Sequence, residues 1–216
     1  MRLDRLRGFA PWFAFAGPAL LLLAWIWVLL AFIWVITDYG PGSPIPPEVN
    51  PAWIGAAEVG ADVCLGVSLL CLLMVALSLA WSTHAWTKTP LAYVGVIAAV
   101  VSILAYLLFL LDQLFKAGNF LYFAAYVLLV AATGACLVAM NLLGRGGGLL
   151  GRMLPWIGIA AGCLFLLAAL SILAGFGGGV TAALVAAIPL YTVWSVWLGF
   201  RLRADRRSVS ANSASK

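Results

Sequence analysis

Six long apolar stretches, separated by short polar connectors, dominate the pattern of this chain. They are Pro11–Thr37, Gly60–Trp81, Leu91–Leu111, Phe120–Leu143, Pro155–Ala174 and Val180–Phe200. At a rise of about 1.5 Å per residue, about 20 residues of helix cross a hydrocarbon core of about 30 Å. Lipid offers no hydrogen-bonding partners to a free backbone, so each stretch must be helical. The pattern therefore predicts an all-α polytopic membrane protein, a bundle of six transmembrane helices.

The basic residues fall almost entirely on one side of these spans. Eleven of the 12 Lys and Arg residues lie on that side, together with Asp4 and Asp205. The opposite side holds Lys116 and five acidic residues, namely Asp38, Glu48, Glu58, Asp62 and Asp112. Because Lys and Arg accumulate in cytoplasmic loops, both termini are predicted to be cytoplasmic, in a cell membrane.

Composition supports the same class of protein. The chain is 65% hydrophobic and 9% charged, whereas an ordinary soluble domain is about 25% charged. The net charge of +5 is explained by orientation, and we expect no nucleic-acid partner. The basic N-terminus leads into an apolar run much longer than the roughly 7–15 residues of a signal peptide, so it is interpreted as a retained helix.

The connectors indicate a single domain. Most of them are short, which favours sequential antiparallel neighbours in one bundle over residues 1–203. The outer connector Asp38–Val59 is longer and proline-rich. Residues 204–216 are basic and Ser-rich, and they are predicted to form a disordered cytoplasmic tail.

Small residues four apart suggest where helices approach closely, because association in lipid depends on packing rather than on a hydrophobic force. The candidate pairs are Gly95–Ala99, Gly158–Gly162 and Ser171–Gly175. We expect them to mark contacts within the chain rather than a dimer face.

Two prolines interrupt spans, Pro18 and Pro189. Both are interpreted as tolerated membrane prolines, with the alternative that Pro189 frees the Val185 carbonyl toward a cavity. Asn141, at the end of the fourth span, is predicted to add polarity only at the membrane interface.

The candidate chemical site is a set of outer carboxylates. Glu58 and Asp62 are four residues apart and share one helix face, and Asp112 ends the third span on the same side. Two carboxylates in a partly desolvated site could keep one proton and act as a general acid, or could bind a cation. The competing interpretation is a solvated outer surface that suits the helix dipole.

Three tryptophans lie deeper than the interfacial belt, namely Trp25, Trp27 and Trp194. Packing is the default interpretation, and the alternative is the wall of a pocket for an apolar or cationic ligand. The four cysteines form no CxxC pair and His84 is the single histidine. We therefore expect neither a bound metal nor a redox cofactor.

The segments LGRGGGLLGRMLPWIGIAAGCLFLLAAL and AAIPLYTVWSVWLGFRL resemble the last three helices of small six-helix bacterial integral membrane proteins in families of unknown function. The resemblance covers roughly residues 144–203. It implies a helical inner-membrane protein and contributes no catalytic residues.

Three functions remain open from the sequence. The first is a non-enzymatic accessory, regulatory or small-molecule- or lipid-handling component, with membrane lipid, a small apolar molecule or another membrane protein as partner. The second is an intramembrane enzyme that uses Asp62, Glu58 or Asp112 as general acid on an isoprenoid or lipid, as membrane terpene cyclases do. Those enzymes typically have seven helices and a deeper acid. The third is a small permease or exporter, which the lack of an internal repeat and of midplane charge disfavours.

Overall fold

The computed structural model describes residues 4–39, 52–82, 90–115, 119–146 and 152–214. These residues form no strand and six helices: α1 (Asp4–Tyr39), α2 (Ala52–Ser82), α3 (Pro90–Phe115), α4 (Asn119–Gly146), α5 (Leu154–Leu173) and α6 (Gly177–Ala214). Each helix covers the corresponding predicted span to within one residue. The all-helical prediction is therefore confirmed.

Four of the helices are long and apolar enough to cross a membrane. Their apolar segments are Pro90–Leu111, Phe123–Arg145, Leu154–Leu173 and Gly177–Ala204. Within the described residues, α1 and α2 contribute shorter apolar segments, Phe9–Ala24 and Val63–Ser78.

The helices form a closed ring in chain order. Each helix packs against the next, and α6 packs against α1. In addition α2 touches α4, which leaves α3 on the outside of that pair. The main core cluster takes residues from all six helices, and a smaller cluster lies between α2, α3 and α4.

Small residues allow the close helix approaches, as the sequence predicted. Gly95 and Ala99 are buried on α3, and a Cβ atom on Gly95 would overlap the side chain of Met140 on α4. Between α4 and α5, a Cβ atom on Gly162 would lie 2.8 Å from the carbonyl oxygen of Gly134. The predicted pairs Gly95–Ala99 and Gly158–Gly162 thus mark contacts within the chain.

The pair Ser171–Gly175 has a different role from the predicted packing contact, because α5 ends there. The amide of Phe176 donates to the Ser171 carbonyl (2.9 Å), and that of Gly175 donates to the Ile172 carbonyl (3.1 Å). With Gly175 at φ 69°, these bonds form a Schellman motif that satisfies the last carbonyls of the helix. The motif reverses the chain into α6 within a few residues.

α6 continues as helix to Ala214, past residue 204, where the sequence predicted the start of a disordered tail. The segment from Arg201 to Ala214 contains neither Gly nor Pro. Its Arg, Leu and Ala residues have good helix propensity, so the helix has no local reason to stop at the end of the apolar segment.

Candidate functional site

Five of the six residues proposed from the sequence have side chains outside the described part of the structure. Glu58 and Asp62 belong to α2, Asp112 to α3, and Trp25 and Trp27 to α1. Their grouping into a carboxylate site or an aromatic wall stays a prediction.

A cavity of about 170 Å³ lies inside the bundle. Its wall comes from α1, α2, α4, α5 and α6, and it extends from the N-terminal half to the midpoint of the apolar segments of α4 and α6. The lining residues are Leu21, Leu65, Ser68, Leu69, Leu72, Tyr126, Leu129, Val130, Thr133, Phe165, Leu184, Ile188 and Tyr191. The wall is therefore mostly aliphatic, with four hydroxyl-bearing side chains, and none of these residues is charged.

A line of hydroxyl groups runs from this cavity to α1. The Tyr191 hydroxyl lies beside the side chains of Ser68 and Ser195. The Ser195 Oγ in turn donates to the backbone carbonyl of Ala14, at 2.6 Å. The Ser195 hydroxyl thereby joins α6 to α1 beside the cavity.

Pro18 explains why the Ala14 carbonyl accepts this bond. In an unbroken helix that carbonyl would bind the amide of residue 18, but proline has no N–H. Pro18 is buried inside α1, where no water can replace the missing donor. The Ser195 hydroxyl takes the place of the absent amide.

Gly17 makes room for the same junction. A Cβ atom at this position would lie 3.3 Å from the Tyr191 hydroxyl oxygen and 3.3 Å from the Cβ atom of Cys71. Both approaches are tight for a real side chain. Glycine therefore lets α1 come close to α2 and α6 beside the cavity.

Thr133 places a second hydroxyl on the wall. Its Oγ1 lies 2.8 Å from the Leu129 carbonyl and 3.3 Å from the Ser102 hydroxyl of α3. Ser102 itself donates to the Ala98 carbonyl, at 2.9 Å. The contact between Ser102 and Thr133 therefore connects the cavity wall to α3.

Trp194 packs in the bundle and does not line the cavity. Its side chain is 1% exposed, and its indole N–H donates to the Asn141 Oδ1 at 2.7 Å. Asn141 is 0% exposed and donates from Nδ2 to the Leu137 carbonyl, at 2.8 Å. Asn141 thus lies inside the bundle between α4, α5 and α6, and its depth at the membrane interface stays a prediction.

The freed carbonyl at the other proline lies away from the cavity. Val185 is 57% exposed and Pro189 is exposed as well, so both face outward from α6. The interpretation that Pro189 directs a carbonyl into a cavity was therefore wrong. The carbonyl that takes part in the site is that of Ala14, which lacks its amide donor because residue 18 is proline.

Within the described residues, no three His, Cys, Asp or Glu side chains are grouped as metal ligands would be. The cysteines among them are free thiols, with Cys71 and Cys136 buried in the helix packing. The cavity wall is therefore apolar, with neutral hydroxyl groups that can form hydrogen bonds.

Comparison of the chain with protein-family models, with curated proteins and with solved structures finds no match. A fold alone does not imply a function. The functional inference therefore depends on the chemistry of the cavity itself.

Proposed function

We propose that all six helices cross a cell membrane, with both termini on the cytoplasmic side. The apolar runs of α1 and α2 are as long in the sequence as those of the other four helices. The strong bias of Lys and Arg to one side supports the orientation.

The packing of the described helices is consistent with that bias. The Arg145 guanidinium lies over the Trp156 ring, 4.6 Å from its centre, at the end where α4 finishes and α5 begins. Phe200 contacts Phe15, with 5.1 Å between ring centres, so the C-terminal part of α6 lies beside the N-terminal part of α1. Since α5 and α6 form a tight hairpin, the described arginines of α4 and α6 occupy the same end of the bundle.

Within this bundle we place a binding site for one small, neutral, apolar molecule, so that the protein handles a lipid-soluble compound without changing it chemically. The mostly aliphatic cavity of about 170 Å³ is the observation that carries this proposal. An engineered apolar cavity of about 150 Å³ in another protein binds benzene, so the space suffices for one small ring or the end of a chain.

The wall favours binding over catalysis. General acid–base catalysis needs a group that exchanges protons near the working pH, and the polar side chains on this wall are serine, threonine and tyrosine hydroxyls. A buried charge at midplane depth would be costly without a partner. A neutral ligand therefore suits this wall better than an ionic one.

Photolabelling in liposomes tests the proposal. A small aliphatic diazirine that partitions into lipid should label cavity residues such as Thr133 and Ile188. The change Leu184→Trp fills the cavity and should suppress this labelling. The adjacent change Val185→Trp is the matched control, since Val185 is 57% exposed and should leave the labelling intact.

Two results would contradict the proposal. One is cavity labelling that persists unchanged in Leu184→Trp. The other is labelling confined to outward-facing residues of the bundle in the unmodified protein.

A further inference from the structure

We infer that the corner where α4 ends and α5 begins binds an anionic phospholipid. Arg145 and Arg152 bind the phosphate of its headgroup, and an acyl chain lies along the outer seam between the two helices. This inference rests on the proposed membrane arrangement, in which that end of the bundle lies at the cytoplasmic surface, and it does not involve the cavity.

Arg145 is positioned by an aromatic ring. Its guanidinium lies over the Trp156 ring, 4.6 Å from the ring centre, and the side chain is exposed. A guanidinium carries five N–H donors, and the face of a ring attracts its charge without supplying an oxygen acceptor for them. The contact therefore fixes the place of the charge while the corner still lacks an oxygen-bearing partner for it.

Arg152 brings a second positive charge to the same ring. It lies four residues before Trp156, and Met153 between them already has helical backbone angles, with φ −89° and ψ −39°. Residues four apart in a helical turn lie on the same side, and Arg152, Met153 and Trp156 are all exposed. Both arginines thus lie beside one exposed tryptophan.

The sequence supplies no acid to balance these charges within α4 and α5. The segment from Gly144 to Met153 contains two arginines and no acidic residue, and the acids predicted on that side, Asp4 and Asp205, belong to α1 and α6. Arginine binds phosphate oxygens through paired N–H donors, and anionic lipids accumulate in the cytoplasmic leaflet. A phospholipid phosphate with net negative charge therefore matches the corner.

An apolar surface continues from the arginines toward the middle of the bundle. Val138 of α4 lies against Gly162 of α5, and both helices are close there. Leu166 of α5 likewise lies against Gly134 of α4. Val138 and Leu166 are partly exposed, so they lie at the outer edge of the seam, and Leu142 is 42% exposed nearer the arginines. A cationic end followed by aliphatic surface fits the phosphate and acyl chain of one lipid.

Native mass spectrometry of the full chain, released from detergent micelles, tests this inference by counting bound lipids. The protein is titrated with phosphatidylglycerol and, separately, with phosphatidylcholine of the same acyl chains. We expect the first phosphatidylglycerol to bind more tightly than the first phosphatidylcholine. Arg145→Gln/Arg152→Gln should weaken that binding about tenfold, the value of one charge-assisted hydrogen bond, and should remove the preference.

A matched control removes the same charge elsewhere. Arg201→Gln/Arg203→Gln changes two exposed arginines of α6, and it should leave the affinity for phosphatidylglycerol nearly unchanged, because charges away from the bound phosphate are screened by salt. Leu184→Trp, which fills the cavity, should also leave it unchanged. Thermal unfolding of each variant shows whether it is folded, and the four arginines are exposed, so we expect no loss of stability.

Four results would overturn the inference. The first is equal binding of the two lipids to the unmodified protein, and the second is an equal loss from both arginine pairs, which would indicate general attraction of charge. The third is displacement of phosphatidylglycerol by an equal concentration of glycerol 3-phosphate, since the acyl chain would then add nothing. The fourth is loss of lipid binding in Leu184→Trp, which would place the lipid in the cavity. The proposed function is tested separately by photolabelling of the cavity, so a failure of lipid binding at the corner leaves it standing.

Discussion

Ser195 of α6 supplies the hydrogen-bond donor that Pro18 removes from the backbone of α1. The two residues meet at the Ala14 carbonyl, where the Ser195 Oγ donates at 2.6 Å. A buried carbonyl without a donor would be costly in this apolar setting. The proline and the serine therefore act as a pair, although they belong to helices at opposite ends of the chain.

This pairing predicts a coupling between the two positions. Ser195→Ala should destabilise the bundle by about 1 kcal/mol, because the Ala14 carbonyl loses its donor. In a Pro18→Ala background the same change should matter less, since residue 18 then provides an amide for that carbonyl. Denaturant-induced unfolding in mixed micelles measures both free energies, and the double-mutant cycle isolates the coupling.

Ser78→Ala is the control for this cycle. The Ser78 hydroxyl donates to the Met74 carbonyl, four residues earlier in the same helix, and that carbonyl keeps its backbone donor when the hydroxyl is removed. Equal costs of Ser195→Ala with and without Pro18 would show that the proline and the serine are independent.

The buried Trp194–Asn141 bond predicts a second coupling. Trp194→Phe should cost about 1–3 kcal/mol, because the Asn141 Oδ1 stays buried without its donor. Adding Asn141→Leu, which has a similar shape, should recover part of the loss by making both partners apolar. Unfolding of the single and double variants checks this, and strictly additive costs would contradict it.

Gly158 is predicted to tolerate no larger residue while Asn141 is present. A Cβ atom on Gly158 would overlap the amide group of Asn141, so Gly158→Ala should cost about 1–3 kcal/mol by overpacking. The smaller side chain in Asn141→Ser should relieve much of that cost. Thermal unfolding of the purified protein in micelles provides the comparison.

Gly177→Ala is the matched control for Gly158→Ala. Nothing lies within 4 Å of a Cβ atom at Gly177, and alanine is the better helix former, so stability should be unchanged or slightly higher. Similar losses of stability from Gly158→Ala and Gly177→Ala would contradict this prediction. They would mean that the close approach of α4 and α5 does not limit the size of the side chain at position 158.

Topology gives a prediction that is independent of the cavity. Green fluorescent protein fused after Lys216 should fluoresce in a bacterial host, because it folds in the cytoplasm. Alkaline phosphatase inserted after Ser43, in the proline-rich connector, should be active, because that enzyme needs the oxidising outer side. Phosphatase activity at the C-terminus would reverse the proposed orientation.

The helices were predictable because an apolar run of membrane length can satisfy its backbone only as a helix. Gly158–Gly162 was predictable for a similar reason, since close approach in lipid needs small residues. Gly175 also indicates the end of α5, because glycine after an apolar helix commonly forms its left-handed cap. The four-residue spacing had instead predicted that Gly175 and Ser171 form a packing pair.

The polar junctions were harder to predict, because hydropathy gives the depth of a residue in the membrane but not the side of the helix it occupies. Asn141 was placed correctly near the end of α4, yet its burial against Trp194 depends on how α4 and α6 face each other. Pro18 does imply a carbonyl that needs a donor. Only the three-dimensional packing selects Ser195 among the many hydroxyl residues of the chain.

The bond between Ala14 and Ser195 spans 181 residues of sequence, and this separation has a consequence for biosynthesis. Translation makes α1 before the other five helices, so the carbonyl exposed by Pro18 must wait for α6 before it gains its donor. In the proposed six-span arrangement, α1 therefore lies in the bilayer until then with one backbone carbonyl lacking its donor. In that proposed arrangement, the first helix to enter the membrane is completed by the last.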